Sequence, residues 1–306
     1  MTLHKATEQY ITLKRSLGFR FHSESVILTA FSKAMGKVSL GQVKPRAVRA
    51  YLDGKGPLTR HWHRKWVALR PFYRFAMARG LVRRSPLPSQ APKIETTFTA
   101  YIYTQAELRA LLQAITPERT GRLSPQTVRA LLLLLYGAGL RISEALNLEI
   151  GDVDLQERLL CIRQSKFFKT RWVPMGPKLT AVLRDYERPA PNPSHSYFFR
   201  TSRGTPVSRS AMERIFAKLR LAAGIQRTDG GRYQPRLHDL RHAAAVHRLV
   251  AWYRQGADVQ SLLIQLSAYL GHIDIAATQK YLTWTPELRT QASACFARYA
   301  LGGSDD

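Results

Sequence analysis

The stretch "LHDLRHAAAVHRL" at residues 237–249 sets His238, Arg241 and His242 at i, i+3 and i+4. On a helix these three side chains crowd one face, and each can hold an anion. Three further groups of residues carry comparable chemistry. Arg141 stands in "GAGLRISEAL" with Glu144 one helical turn later; Lys166 stands in the polar centre of "SKFFKTRWVP"; His272 in "YLGHIDIAATQKYLTWTPE" precedes Tyr281 by nine residues. Taken singly, each has an ordinary structural reading: Arg141 and Glu144 as a helix ion pair, Tyr281 as a core aromatic, His272 as a residue closing a helix after Gly271.

The charge balance states what anion such groups would meet. The 306 residues hold 47 Lys and Arg against 21 Asp and Glu, a formal +26. So large an excess repels itself unless a polyanion is the working partner, and nucleic acid is the first candidate. Basic clusters such as "RHWHRKWVALR", "ARGLVRR" and "SKFFKTRWVP" lie inside segments that also carry core-type apolar residues. They predict basic surfaces on folded domains, and Arg60, His63, Arg64, Lys65, Lys169 and Arg171 are the residues expected to bind DNA. Carboxylates with metal-ligand spacing do not stand out, which argues against a metal-dependent nuclease or transposase.

The elements that must position these groups follow from periodicity. "TEQYITLKRSLGF", "SESVILTAFSKAMG" and "KPRAVRAYL" read as helices, and a longer one, "TRHWHRKWVALRPFYRFAMARG", contains Pro71, which is expected to kink it or open a second helix. The proline-bearing "SPLPSQAPKIETTFTA" has no helical period. The expected organisation is a small helical domain over 1–90, a linker over 91–103, and a second domain over 104–306. That domain opens with a capping box at Thr104 and Glu107. It continues with a buried helix broken at Gly137 and Gly139, and with a hairpin in "RLLCIRQSKFFKTRWVPM" where the period changes to two. Helices follow, ending in the amphipathic "PELRTQASACFARYAL". The fold class is mainly α with a small β-sheet. The apolar run "ALLLLLYGAGL" is too short for a bilayer, and Cys161 and Cys295 read as buried reduced thiols, so the protein is expected in the cytoplasm, away from membranes.

In this order, Arg141, Glu144, Lys166, His238-x-x-Arg241, His272 and Tyr281 resemble the active-site set of the tyrosine recombinase, or phage integrase, family, over about Thr104 to the end. The resemblance implies a helical DNA-clamping domain and a mixed α/β catalytic domain that cuts and rejoins duplex DNA through a 3′-phosphotyrosine, with no metal or other cofactor. Arg141 and Arg241 would hold the scissile phosphate, Tyr281 would attack it, and Lys166 would protonate the leaving sugar oxygen. Lys169 is a rival for that last role, because Phe167 and Phe168 replace the small turn residues usual there. His238 would act in proton transfer with the nucleophile, His272 would hydrogen-bond the phosphate, and Glu144 would orient the cationic groups. His242 receives no role. The implied assembly is a homo-oligomer, a synaptic tetramer on two DNA sites, with other recombinases as further partners and the nucleoid as its location. Two alternatives remain: relaxation of DNA in the manner of a type IB topoisomerase, and a non-catalytic DNA-binding or architectural protein.

Overall fold

A computed structural model describes residues 1–55, 58–93, 99–163, 170–187, 197–231, 233–272, 274–283 and 290. The chain divides into two units, Met1–Thr96 and Thr97–Asp306.

In the first unit four helices, α1 (Leu3–Ser16), α2 (His22–Met35), α3 (Pro45–Asp53) and α4 (Arg60–Ala78), close on one core. Tyr10, Leu28, Phe31, Leu52, Trp62, Leu69, Phe72 and Tyr73 fill it. Pro45 opens α3, where its missing N–H costs nothing. Of the two outcomes expected at Pro71, a second helix does not open there: α4 runs through it for 19 residues. Proline at 71 deprives the Val67 carbonyl of its donor. Both residues face solvent, so water can take that bond, while buried Trp66, Leu69, Phe72 and Tyr73 hold the helix on either side.

The second unit begins at α5 (Gln105–Gln113), whose capping box is present: Thr104 Oγ1 accepts from the Glu107 amide at 3.2 Å and Glu107 Oε2 from the Thr104 amide at 2.8 Å. A short α6 (Pro117–Thr120) leads to α7 (Pro125–Gly137) and α8 (Ile142–Leu146). Leucines cover most of α7, which therefore sits inside the unit. Gly139 turns the chain between α7 and α8 at φ +60°, and a Cβ there would meet Leu270 at 2.8 Å. Only glycine serves both demands.

Three antiparallel strands follow in the order β1 (Val153–Asp154), β2 (Leu159–Ile162), β3 (Arg171–Pro174). The expected hairpin strands pair in the register Leu160 to Val173 and Ile162 to Arg171. Residues 164–169, with Lys166 and Lys169, lie outside the described residues. So do Cys295 and, apart from Thr290, the last amphipathic segment; Cys161 is a buried free thiol. The remaining helices are α9 (Pro177–Tyr186), α10 (Arg209–Ala222), α11 (Asp239–Arg254), α12 (Val259–Leu270) and α13 (Ala276–Gln279), with a 3-10 turn at Lys280–Thr283. The unit is mostly helical with one small sheet. Among the described residues no helix is long and apolar enough to cross a membrane.

Candidate active site

Glu144 is where the separated motifs meet. It lies on α8, its side chain is 7% exposed, and it accepts on both oxygens. Arg141, just ahead of α8, gives its Nη1 to Oε1 at 2.7 Å and its backbone amide to Oε2 at 3.0 Å. Arg171, from the start of β3, donates to the same two oxygens at 3.1 and 2.9 Å. Arg241, on α11, brings Nη1 to 4.0 Å from Oε2. Burial opposes ionisation of this carboxyl, but the bonds and charge of Arg171, then of Arg141, outweigh it and hold its pKa at about 2. One carboxylate thus fixes two guanidiniums by hydrogen bonds, lies at ion-pair distance from a third, and only partly neutralises the three.

Backbone carbonyls complete the frame. Arg241, 2% exposed, donates to Gly139 O and Leu270 O, each at 2.6 Å. These bonds tie the α7–α8 turn to the end of α12. Burial, and next the charge of Arg141, lower its pKa to about 10, which leaves it protonated at neutral pH. Arg141 Nη2 reaches Gly271 O at 3.0 Å, and Arg171 Nε reaches Tyr269 O at 3.1 Å. Gly271 ends α12 in the left-handed region, φ +66°, and a Cβ on it would strike the Arg171 guanidinium at 2.6 Å. The glycine of L-G-H is therefore required by the arginine next to it.

The histidines and the tyrosine adjoin this cage. His272 shares a 2.6 Å hydrogen bond with Thr278 through Nδ1, and its ring stacks on Tyr281 with centroids 5.9 Å apart. Tyr281, 1% exposed on the 3-10 turn, lies with its hydroxyl 3.3 Å from His242 Nδ1. His238, exposed at the start of α11, sets its ring edge-on to His242 at 4.9 Å. All three imidazoles titrate well below the usual histidine range. Desolvation is the first cause in each case, followed by neighbours that disfavour a further positive charge: Arg241 for His238 and His272, at about 4, and His238 then Arg241 for His242, at about 3. They are neutral at physiological pH and so able to accept or pass a proton. Burial raises the Tyr281 pKa, with Arg241 pulling it the other way, so its hydroxyl carries its proton there.

The structure brings together Arg141, Glu144, His238, Arg241, His272 and Tyr281 from well-separated stretches of the chain. Two residues expected on the DNA-facing surface point elsewhere. Arg171 is 13% exposed in its side chain, and its three nitrogens are committed to Glu144 and Tyr269. The alternation of β3 carries a signal of this, since Arg171 shares a face with buried Val173 while Trp172 faces solvent. Lys65 is half-buried and donates to Tyr51 O at 2.5 Å, capping the end of α3 over the Tyr51 ring. Arg60, His63 and Arg64 are exposed along α4, as is Arg74, and His63 stacks on Trp66. Sequence reasoning gave no role to His242, whose Nδ1 the structure sets beside the Tyr281 hydroxyl.

Comparison with known proteins places the chain in a family. Residues 102–287 match the model of the phage integrase family. An integrase/recombinase of Sinorhizobium fredii, y4rB, is 33% identical over 302 residues, spanning 95% of this chain and 96% of its own. Among solved structures, the Tn1549 transposon integrase in complex with a circular intermediate DNA superposes with a TM-score of 0.69 at 17% identity, over 98% of this chain and 99% of that one. A lambda integrase tetramer bound to a Holliday junction gives 0.65 at 20% identity, over 90% and 78%. The two structural likenesses speak to the fold, and with the family match they lead to one conclusion: the chain belongs to the phage integrase family of tyrosine recombinases, enzymes of site-specific DNA breakage and rejoining.

Proposed function

We propose that Tyr281 is the nucleophile of this recombinase and that the guanidiniums gathered by Glu144 hold the phosphate it attacks. The observation that carries the reading is the Tyr281 hydroxyl, hydrogen-bonded to Arg241 and near the charge of Arg141, two of the arginines gathered about Glu144. A phosphodiester under attack gains charge on its non-bridging oxygens, and pre-oriented N–H donors stabilise that charge best when desolvated. Arg141 and Arg241 bind those oxygens, His272 adds a hydrogen bond, and Glu144 with Arg171 keeps the donors from reorganising. Tyr281 becomes joined to the 3′-phosphate, the 5′-oxygen leaves as a hydroxyl, and His238 takes part in the proton transfer. Lys166, or Lys169 in its place, protonates the leaving oxygen, since an arginine does not give up its proton. The bond energy is kept in the phosphotyrosine, so neither ATP nor a metal is called for.

The unit over residues 1–90 clamps duplex DNA with the exposed basic face of α4, residues 91–103 link it to the catalytic unit, and protomers work as a tetramer on two sites, alone or with other recombinases, in the cytoplasm at the nucleoid. The charge balance, the complexes formed by the Tn1549 and lambda integrases, and the recombinase relatives support this reading over simple relaxation or an architectural role. The test is a plasmid carrying two copies of the site, identified beforehand by sequencing DNA trapped covalently on the protein. Deletion or inversion between the sites in EDTA, lost in Tyr281→Phe, is expected. Relaxation that needs no second site, or loss in EDTA reversed by magnesium, would overturn it.

A further inference from the structure

His242 takes no part in the scheme above, yet it is the imidazole at the nucleophile. It is buried at 9% exposure, its Nδ1 lies 3.3 Å from the Tyr281 hydroxyl, and the two ring centroids are 5.6 Å apart. The pair joins α11 to the 3-10 turn that packs on it. When the ring proton sits on Nε2, the Nδ1 lone pair accepts from the hydroxyl. Among the described residues, the groups that face His242 include His238 and Arg241 on its own helix, Arg236 just ahead of that helix, His272 beyond α12, and Tyr281 itself. After burial, these positive and dipolar neighbours keep the imidazole uncharged, with a pKa of about 3. The tyrosine keeps its proton for the converse reason, burial disfavouring the phenolate. Attack on phosphorus therefore needs an acceptor at the hydroxyl at the moment of bond formation. His238 adjoins the same pair, ring edge on His242.

We propose that His242 is the immediate proton acceptor of strand cleavage: its Nδ1 takes the phenolic proton as the Tyr281 oxygen forms its bond to phosphorus. The inference rests on Tyr281 being the nucleophile. The bond from phosphorus to the 5′-oxygen breaks with its electron pair on that oxygen, which takes a proton from the general acid, and His242 is left as an imidazolium. A bound phosphate supplies the negative charge that makes this cation tolerable among the arginines. In rejoining, the 5′-hydroxyl gives its proton back to the general acid, now deprotonated, as it attacks the phosphotyrosine, and His242 returns its proton to the leaving phenolic oxygen, so the cycle is balanced without a further reactant. His238, ring against ring, is placed to tune or share that proton.

The test measures single-turnover formation of the covalent adduct by the full-length protein on a nicked site, across pH 6 to 9, with DNA affinity and melting temperature measured for each variant. His242→Ala is expected to slow cleavage by about 100-fold or more while binding DNA within a few-fold of wild type. Its residual rate should climb about tenfold per pH unit relative to wild type as hydroxide replaces the imidazole, and added imidazole should recover part of it. His242→Gln can hold the hydroxyl but cannot take its proton, and should be as slow as alanine. A site with sulfur in place of the bridging 5′-oxygen needs no protonation of its leaving group and should not rescue either variant. A His242→Ala rate within a few-fold of wild type, a pH profile parallel to wild type, full activity in His242→Gln, or rescue by the 5′-sulfur site would each overturn the proposal. Tyr281→Phe, run alongside, separates the two readings: an adduct made by wild type and absent in Tyr281→Phe, but unaffected by His242→Ala, removes His242 and leaves the nucleophile standing.

Discussion

The arginines on α4 and the arginines around Glu144 are chemically the same group in opposite circumstances. Arg60, Arg64 and Arg74 stand in solvent on a helix face with room to follow a DNA backbone. Arg141, Arg171 and Arg241 are pinned by a carboxylate and by the carbonyls of Gly139, Tyr269, Leu270 and Gly271 before any DNA arrives. In the proposed reading the first kind contributes affinity that salt can compete away. The second, in the same reading, holds its donors where charge develops in the reaction, and carries the cost of desolvation within the fold itself. Removing one of each should therefore be felt in different measurements.

The largest effect is expected at the centre of the cage. Glu144→Gln removes the charge that lets three guanidiniums share one pocket, and breaking a buried pair costs about 3–5 kcal/mol. Both the melting temperature and the rate of adduct formation should fall, the rate by a factor on the order of 1000. Retention of wild-type stability would mean that the arginines do not depend on this carboxylate. The sign of the pH effect follows from the same group. Its folded pKa, about 2, lies below the ordinary 4.5, so its stabilisation is complete above pH 4.5 and is lost as pH falls toward 2.

Gly271→Ala separates strain from displacement. Gly271 and Gly256 both sit at φ +66°, but a Cβ at 256 meets nothing within 4 Å whereas one at 271 strikes Arg171. Each substitution should cost about 1 kcal/mol of stability from the backbone alone. Only Gly271→Ala should also slow cleavage, by about 10- to 100-fold, because Arg171 must leave Glu144. Equal activity in the two variants would show that Arg171 does not support the site.

On the α4 face the effect should be smaller and of another kind. Arg60→Ala with Arg64→Ala should weaken duplex binding at low salt and lower the slope of log affinity against log salt by about 1 for each phosphate no longer neutralised. The cleavage rate of DNA already bound should change little. A slowed cleavage rate with an unaltered salt slope would erase the distinction between the two sets.

What could be read from the sequence divides along the same line. That Arg141, Glu144, His238, Arg241, His272 and Tyr281 belong together was legible because their types and order are unusual in combination, and the helices because capping and apolar period agree, as at Thr104 and Glu107. The course of α4 through Pro71 was not, since whether a freed carbonyl can be hydrated depends on which face it occupies. The internal partners of Arg171 and Lys65 were hidden for a related reason: a basic residue in a basic run looks solvated until one knows that Glu144 or the end of α3 lies opposite. The alternation of Arg171, Trp172 and Val173 held that information for the arginine. His242 was visible but mute, because its part depends on Tyr281, 39 residues away, arriving at its Nδ1.

The central claim, that Tyr281 attacks the phosphate held in this cage, is tested most directly by identifying the amino acid joined to DNA. The protein is incubated with a nicked site whose 5′-hydroxyl fragment diffuses away, the adduct is digested, and the nucleotide-bearing peptide is sequenced by mass spectrometry. The account predicts a nucleotide on Tyr281 alone in wild type, and no adduct in Tyr281→Phe at nearly unchanged DNA affinity. A nucleotide on Tyr269 or Tyr299, or an adduct that persists in Tyr281→Phe, would contradict it.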